Sequence, residues 1–359
     1  MVNISKQSWG EISGQEVSLY TISNADTIIK VSNFGALIQS VMVHDQNNKP
    51  TDIILGYDTL EEYIHDDMSI GTVPAVFVNR ISDAQFKIDD KTYDVGVSKG
   101  KYCLHAGPIE KEIWFATEIS NRKGCGVTFS LSVADNYNGF PGPIHFKVSY
   151  FMTNAGQLQM YYYATSGQTT AINLTNHAYY NLDGDGDILK HHLKLNSTKI
   201  TDTNENLVAS GDITDISDGV FDFSKTKVIG RDIKSDDENI QHAGGYDFNY
   251  VLDTTTKKQI RSSIDDSKFD VHRAAKLYSD KTGIQMTVST SQPGVQVYTS
   301  NSLTPRVGKN NSKYGKYSAV CLETQHFPNS PNIPGFPSTL LKKREKYSHV
   351  SLFDFWVVR

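Results

Sequence analysis

Apolar and polar residues alternate along much of the chain, a pattern typical of strands that bury one face. The alternation is clearest at residues 127–133, 146–150 and 284–288, and further strands are predicted at 36–43, 158–164, 294–299 and 318–324. Turn-forming residues interrupt these segments at 33–35, 139–143, 183–186 and 279–283. No segment keeps a helical period over three turns. Many short strands with frequent turns predict an all-β fold, either a sandwich or a barrel.

The chain of 359 residues carries 35 Lys and Arg against 40 Asp and Glu, a net charge of −5. This mild acidity argues against a nucleic-acid partner, and no apolar run is long enough to predict a membrane span. The polar N-terminus predicts no secretory signal, and three cysteines are too few to staple such a chain, so we expect a reducing, cytoplasmic compartment. Without a repeat or a low-complexity linker, residues 1–359 are predicted to form one sandwich-like domain.

Glu323 is the most conspicuous polar residue within an apolar strand. It follows Ala319-Val320-Cys321-Leu322 and precedes a polar segment that ends in Pro328. A carboxylate in apolar surroundings has a raised pKa and can exchange protons near neutral pH. The alternatives are an exposed strand end or a structural ion pair.

His177 lies among aromatic and amide-bearing residues, in a segment typical of a sugar-binding cleft wall. Imidazole is the usual proton donor at neutral pH, although a hydrogen-bonded core histidine is an equally good interpretation of the local sequence.

Asp247 follows a glycine-containing turn that could present its carboxylate to ligand hydroxyls, or it could stabilise that turn. Arg80 and His105 each lie between apolar residues, where a structural hydrogen-bonding role is the simpler local interpretation.

Seven short motifs occur in a fixed order over nearly the whole chain. They are Val78-Asn79-Arg80-Ile81, Leu104-His105-Ala106-Gly107, Asn138-Gly139-Phe140-Pro141-Gly142, Leu174-Thr175-Asn176-His177, Gly245-Tyr246-Asp247, Pro293-Gly294-Val295-Gln296-Val297 and Leu322-Glu323-Thr324-Gln325-His326. Together they resemble the galactose mutarotase (aldose 1-epimerase) family. The resemblance implies a large antiparallel β-sandwich of the galactose mutarotase-like supersandwich type, with a sugar cleft, no metal and no organic cofactor.

The resemblance also implies a role for each matching residue. Glu323 is expected to be the general base and His177 the general acid in the interconversion of α and β anomers of free aldohexoses such as galactose and glucose. The residues expected to bind the sugar are Asn79, Arg80, His105, Asp247 and Gln296. The apolar strand end is expected to raise the pKa of Glu323, and a neighbouring carboxylate, such as that of Asp247, to favour protonated His177.

Some positions depart from the family pattern, and they leave the shape of the pocket rim and the preferred sugar open. These positions are Ala75, Val76, Ala106, Phe248 and Ser300. Three other functions compete with the mutarotase prediction. They are a non-catalytic carbohydrate-binding protein on the same scaffold, a hexose-6-phosphate mutarotase, and a glycoside hydrolase that uses Asp247 and Glu323 as its carboxylate pair.

Overall fold

A computed structural model of the protein describes residues 1–74, 76–96 and 100–358. Most of the regular structure is β, which confirms the predicted fold class. The strands are β1 (Asn3–Ile12), β2 (Gln15–Ser23), β3 (Thr27–Ser32), β4 (Ile38–His44), β5 (Pro50–Asp52), β6 (Phe77–Ser82), β7 (Gln85–Ile88), β8 (Lys91–Asp94), β9 (Tyr102–Ala106), β10 (Phe115–Asn121), β11 (Gly124–Val133), β12 (Ile144–Thr153), β13 (Leu158–Ser166), β14 (Thr170–Ala171), β15 (Tyr179–Tyr180), β16 (His192–Leu195), β17 (Lys199–Thr203), β18 (Ala209–Asp215), β19 (Lys227–Val228), β20 (Asp247–Val251), β21 (Lys258–Arg261), β22 (Lys268–Tyr278), β23 (Ile284–Thr290), β24 (Gly294–Tyr298), β25 (Arg306–Val307), β26 (Lys313–Tyr314), β27 (Val320–Gln325), β28 (Leu340–Leu341) and β29 (Tyr347–Val357).

The α-helices are short, α1 (Leu60–Ile64) and α2 (Glu238–Ala243). A capping box between Thr59 and Glu62 begins α1. Asp237 caps the start of α2, and Gly244, with φ 67°, ends it in the left-handed conformation that glycine adopts without strain. Within the described residues, no helix is long and apolar enough to cross a membrane.

Three antiparallel sheets form the body of the molecule. The largest has the order β10-β11-β12-β13-β29-β23-β22-β16-β19, with β21 added beside β22. The second has the order β15-β27-β24-β20-β17-β18, and the third has the order β1-β2-β3-β4-β5. Two-stranded pairs, including β6 with β9, connect to these sheets.

The main core lies between the largest sheet and the six-stranded sheet. Val297 of β24 and Leu322 of β27 are buried in it, and Thr324 of β27 hydrogen-bonds Ser351 of β29 across the interface. Because side chains alternate between the two faces of a strand, Gln296 and Glu323 point away from this core. The hydrophobic pattern therefore turns the polar residues of β24 and β27 to the opposite face of the sheet, where the candidate site lies.

Candidate functional site

A polar cavity of about 240 Å³ opens on this face of the six-stranded sheet. Strands β6 and β9 form one wall, and the ends of β20 and β24 form another. Its lining residues are Asp67, Met68, Ser69, Asn79, Arg80, Tyr102, Leu104, His105, His177, Tyr179, Asp247, Tyr298, Ser302 and Glu323. Six of the seven residues predicted as site residues therefore line one cavity, although they lie far apart along the chain.

Glu323 and His177 face each other at this cavity. The Oε1 atom of Glu323 lies 3.6 Å from Nε2 of His177, and the two residues are only 2% and 5% exposed. Both side chains line the cavity, so a small ligand bound there is within reach of both. The two groups can therefore exchange a proton with each other or with a molecule held beside them in the cavity.

Three contacts fix the orientation of the His177 ring. The ring stacks on Tyr179 with centroids 5.0 Å apart, and Nδ1 lies 3.5 Å from the Sγ atom of Cys321. The backbone of His177 is tied to the segment before β6, since its N–H donates to the carbonyl of Thr72. These contacts turn Nε2 towards Glu323.

Burial moves the pKa values of the pair in opposite directions. Desolvation raises the pKa of Glu323 well above its ordinary range, and the nearby Asp247 carboxylate raises it further, as predicted. Desolvation also lowers the pKa of His177 to about 4, so the prediction that a neighbouring carboxylate favours its protonated form is wrong. Burial therefore disfavours the charged form of both groups.

Asp247 is held by two partners at the edge of the cavity. Its Oδ2 atom accepts from Nη2 of Arg80 at 3.4 Å, and its Oδ1 atom accepts from Nε2 of Gln296 at 2.7 Å. Gln296 was predicted to bind the sugar, but it is not among the cavity-lining residues, and its amide instead anchors Asp247 from behind. Gln296 lies two residues before the cavity-lining Tyr298 on β24, between Asn249 and Glu323 of the neighbouring strands.

Asn79 and His105 are placed by an irregularity in the pairing of β6 with β9. The register shifts between Phe77 and Arg80, and Asn79 and His105 both have positive φ, 68° and 51°. The N–H of Asn79 donates to Nδ1 of His105 at 3.2 Å. Strained, non-glycine backbone of this kind is concentrated at functional sites, and here it turns two polar side chains into the cavity.

The positions that depart from the family pattern lie behind the cavity wall. Val76, Ala106, Phe248 and Ser300 are all buried and do not line the cavity. Phe248 instead packs on Phe221, with ring centroids 4.8 Å apart. Ala75 lies outside the described residues. The remaining lining residues are Asp67, Met68, Ser69, Tyr102, Leu104, Tyr179, Tyr298 and Ser302.

The aromatic neighbour Tyr179 does line the cavity, in agreement with the predicted cleft wall, but Tyr298, Cys321 and the segment 67–69 were missed as parts of the site. The strand period would have found Cys321, because it lies two residues before Glu323 and so faces the same side. The segment 67–69 has no comparable signal. It reaches the cavity because Arg306, from the distant β25, contacts Asp67 at 2.9 Å.

An antiparallel β-sandwich with a buried carboxyl–imidazole pair in a polar cavity defines an acid–base enzyme of the all-β class. Among the described residues, no group of three or more His, Cys, Asp or Glu side chains could hold a metal ion. Glu323 and His177 can move protons at this cavity with their own side chains.

Comparison with known proteins gives the family. The family model described as aldose 1-epimerase matches residues 18–354. Galactose mutarotase from Rattus norvegicus is 32% identical, over 99% of this chain and 100% of that protein, and aldose 1-epimerase from Escherichia coli is 27% identical over 95% and 96%. A solved aldose epimerase homologue from C. elegans is 26% identical, has a TM-score of 0.81, and is matched over 93% of this chain and 97% of that one. The chain belongs to the aldose 1-epimerase family, and the predicted family resemblance is confirmed.

Proposed function

We propose that this protein interconverts the α and β anomers of free aldohexoses, galactose and glucose, with Glu323 as general base and His177 as general acid. The observation that carries the proposal is the 3.6 Å approach of Glu323 Oε1 to His177 Nε2 at the wall of a polar cavity. The family supports the reaction type, anomer interconversion by an isomerase. The cavity of about 240 Å³ is smaller than the sites that hold drug-sized ligands, which favours a single monosaccharide.

The reaction needs two proton transfers and no net bond change. Glu323 takes the proton of the C1 hydroxyl while protonated His177 donates a proton to the ring oxygen. The bond between C1 and the ring oxygen breaks, which leaves a free aldehyde. Rotation about C1–C2 presents the other carbonyl face, and the two groups then act in reverse to close the ring.

The two groups need only one proton between them. In the ligand-free site burial opposes charge on either group, which favours the neutral pair with that proton on Glu323. Transfer of the proton from Glu323 to His177 produces the reactive form, a carboxylate beside an imidazolium. Hydroxyl groups of a bound sugar stabilise this form, since they can donate to the carboxylate.

Free sugars are favoured over their 6-phosphates because of the charges at the cavity. The carboxylates of Asp67 and Asp247 line it, and Arg80 is the only Lys or Arg among the lining residues. The Arg80 guanidinium is already paired with Asp247. A phosphate group is bound best by several cationic donors close together, and the described residues that line this cavity do not supply them.

Polarimetry tests the proposal directly. Freshly dissolved α-D-galactose or α-D-glucose approaches its equilibrium rotation faster with the wild-type protein than without it, and the 6-phosphates show a much smaller acceleration. Glu323→Gln serves as the matched control, because it keeps the shape of the side chain and removes the base. Sugar binding without acceleration would instead identify a carbohydrate-binding protein, and release of reducing sugar from an aryl glycoside would identify a hydrolase.

The proposal includes a cytoplasmic setting. The three cysteines, Cys103, Cys125 and Cys321, are buried, and the described residues contain no disulfide. Buried thiols are compatible with a reducing compartment. Fractionation of the source cells, followed by detection of the protein, tests this part of the proposal.

A further inference from the structure

The face of the six-stranded sheet that carries Glu323 continues as a row of polar side chains beside and beyond the cavity. Asn249, Gln296 and Glu323 lie directly opposite one another on β20, β24 and β27. Gln325 follows Glu323 on the same face of β27, and its partner across β24 is Gly294. Polar residues are therefore grouped around Glu323, the proposed base, on the face of the sheet that also carries the cavity.

Several atoms of this group have no hydrogen-bond partner in the described parts of the chain. They are Oε2 of Glu323, Oε1 of Gln296, Oδ1 of Asn249 and both Oε1 and Nε2 of Gln325. Gln325 is 0% exposed, so bulk water does not reach its amide. Buried polar groups in proteins almost always have partners, and five such atoms on neighbouring residues indicate a bound molecule between them.

The spacing of the side chains favours a bridging molecule over direct contact. Residues two apart on a strand are separated by about 6.6 Å, and neither amide atom of Gln325 bonds to Glu323 or to another described residue, which leaves room for a bridge. A Cβ atom added at Gly294 would lie 2.5 Å from Oδ1 of Asn249. The missing side chain therefore lets the Asn249 amide lie over β24, next to Gln325.

The chemistry of the group selects water as that molecule. The unpartnered atoms of Gln296 and Asn249 are acceptor oxygens, Oε2 of Glu323 accepts when the carboxyl group is ionised, and Gln325 offers one acceptor and one amide donor. Water donates two hydrogen bonds and accepts two, and it commonly makes about three in buried sites. Among the described residues no group of three or more His, Cys, Asp or Glu side chains could hold a metal ion, and the unpartnered acceptor oxygens of this group would repel an anion.

We propose that water bound among Gln325, Asn249 and Gln296 donates a hydrogen bond to Oε2 of Glu323, and that Gln325 is thereby a positioning residue for the general base. Oε1 of Glu323 faces His177, whereas Oε2 is sealed from solvent. A donor to Oε2 stabilises the carboxylate and leaves Oε1 to receive the substrate proton. This inference rests on the proposed function of Glu323.

Gln325→Met tests the role, because methionine keeps the length of the side chain and cannot hold the water. We expect kcat for α-D-galactose to fall about tenfold with KM nearly unchanged, because the hydrogen bond supports the base rather than the sugar. We also expect the acid limb of the pH–kcat profile to move to higher pH, since the carboxylate has lost a donor. Thr324→Val is the matched control, because Thr324 faces Ser351 on the other side of β27.

A high-resolution crystal structure of the wild-type protein tests the site independently of activity. We expect water density within hydrogen-bond distance of both Glu323 Oε2 and the Gln325 amide, and its loss in Gln325→Met. Absence of that water overturns the inference, as does an unchanged pH profile or an equal loss of kcat in Thr324→Val. A wild-type protein without mutarotase activity would refute the proposed function, while the water density would still report on the site.

Discussion

His177 and Glu323 are expected to lose activity as one unit when they are replaced singly and together. The variants are Glu323→Gln, His177→Asn and the double variant. One positioned acid or base contributes about 10²- to 10⁴-fold, which is about 2.7–5.5 kcal/mol at about 1.36 kcal/mol for each factor of ten. Independent groups would therefore lose about 10⁴- to 10⁸-fold together.

The structure predicts a much smaller loss for the double variant. The two side chains are 3.6 Å apart and both are buried, and the proposed reaction passes one proton between them. Once either group is removed, the other has no partner from which to receive the proton or to which to pass it. We therefore expect the double variant to be about as slow as the slower single variant, as found for residues that act together.

Polarimetry with α-D-galactose measures the cycle, after subtraction of the spontaneous rate. Urea unfolding of the same samples provides the control. Gln is nearly isosteric with Glu, and burial already disfavours the charged form of Glu323, so we expect the free energy of unfolding of Glu323→Gln to differ from that of the wild type by less than about 1 kcal/mol. A double variant whose loss equals the product of the single losses would refute the shared proton, and full activity in either single variant would remove that residue from the mechanism.

Three further predictions concern stability and the rim of the cavity. Burial lowers the pKa of His177, His191, His326 and His349 to about 3–4. Below about pH 6.5 the unfolded state therefore binds more protons than the folded state. Urea titrations should show the free energy of unfolding falling towards pH 4, by up to about 1.4 kcal/mol per pH unit for each of these histidines. Lys309→Met should cost about 3 kcal/mol in urea unfolding, because the buried ammonium donates to Asp52 at 2.7 Å; a loss near zero would contradict this. Arg306→Ala should raise the KM for galactose about tenfold in steady-state assays with kcat nearly unchanged, because Arg306 ties Asp67 to the rim; an unchanged KM would show that the rim holds without it.

The strands were predictable from sequence because their signal is local. The alternation at residues 127–133 lies within β11, and the segment predicted at 318–324 overlaps β27 at Val320–Gln325. The order of strands was not predictable. β29 lies between β13 and β23, and this long-range pairing leaves no mark in the local period. β1 was also missed, because its exposed residues follow no hydrophobic pattern.

A site residue was predictable where a motif indicates both which residue carries the chemistry and which side of its strand that residue lies on. Glu323 and His177 belong to such motifs, and the structure places both at one cavity. Gln296 also belongs to such a motif, yet its side chain contacts Asp247 of β20. That contact could not be predicted, because it depends on the register of β20 with β24. The segment 67–69 depends on Arg306, which is more than two hundred residues away.

The protonation of His177 was predicted wrongly from the sequence, and the burial of its imidazole explains the error. A nearby carboxylate raises the pKa of a histidine only if its attraction exceeds the cost of removing the imidazolium from water. His177 is sealed between Tyr179 and Cys321, so the cost of desolvation is larger. The outcome suits anomer interconversion, which neither consumes nor releases a proton overall. A pair that retains a single proton can return to its starting state after each turnover without exchange with solvent, provided that the sugar restores the charged form while it is bound.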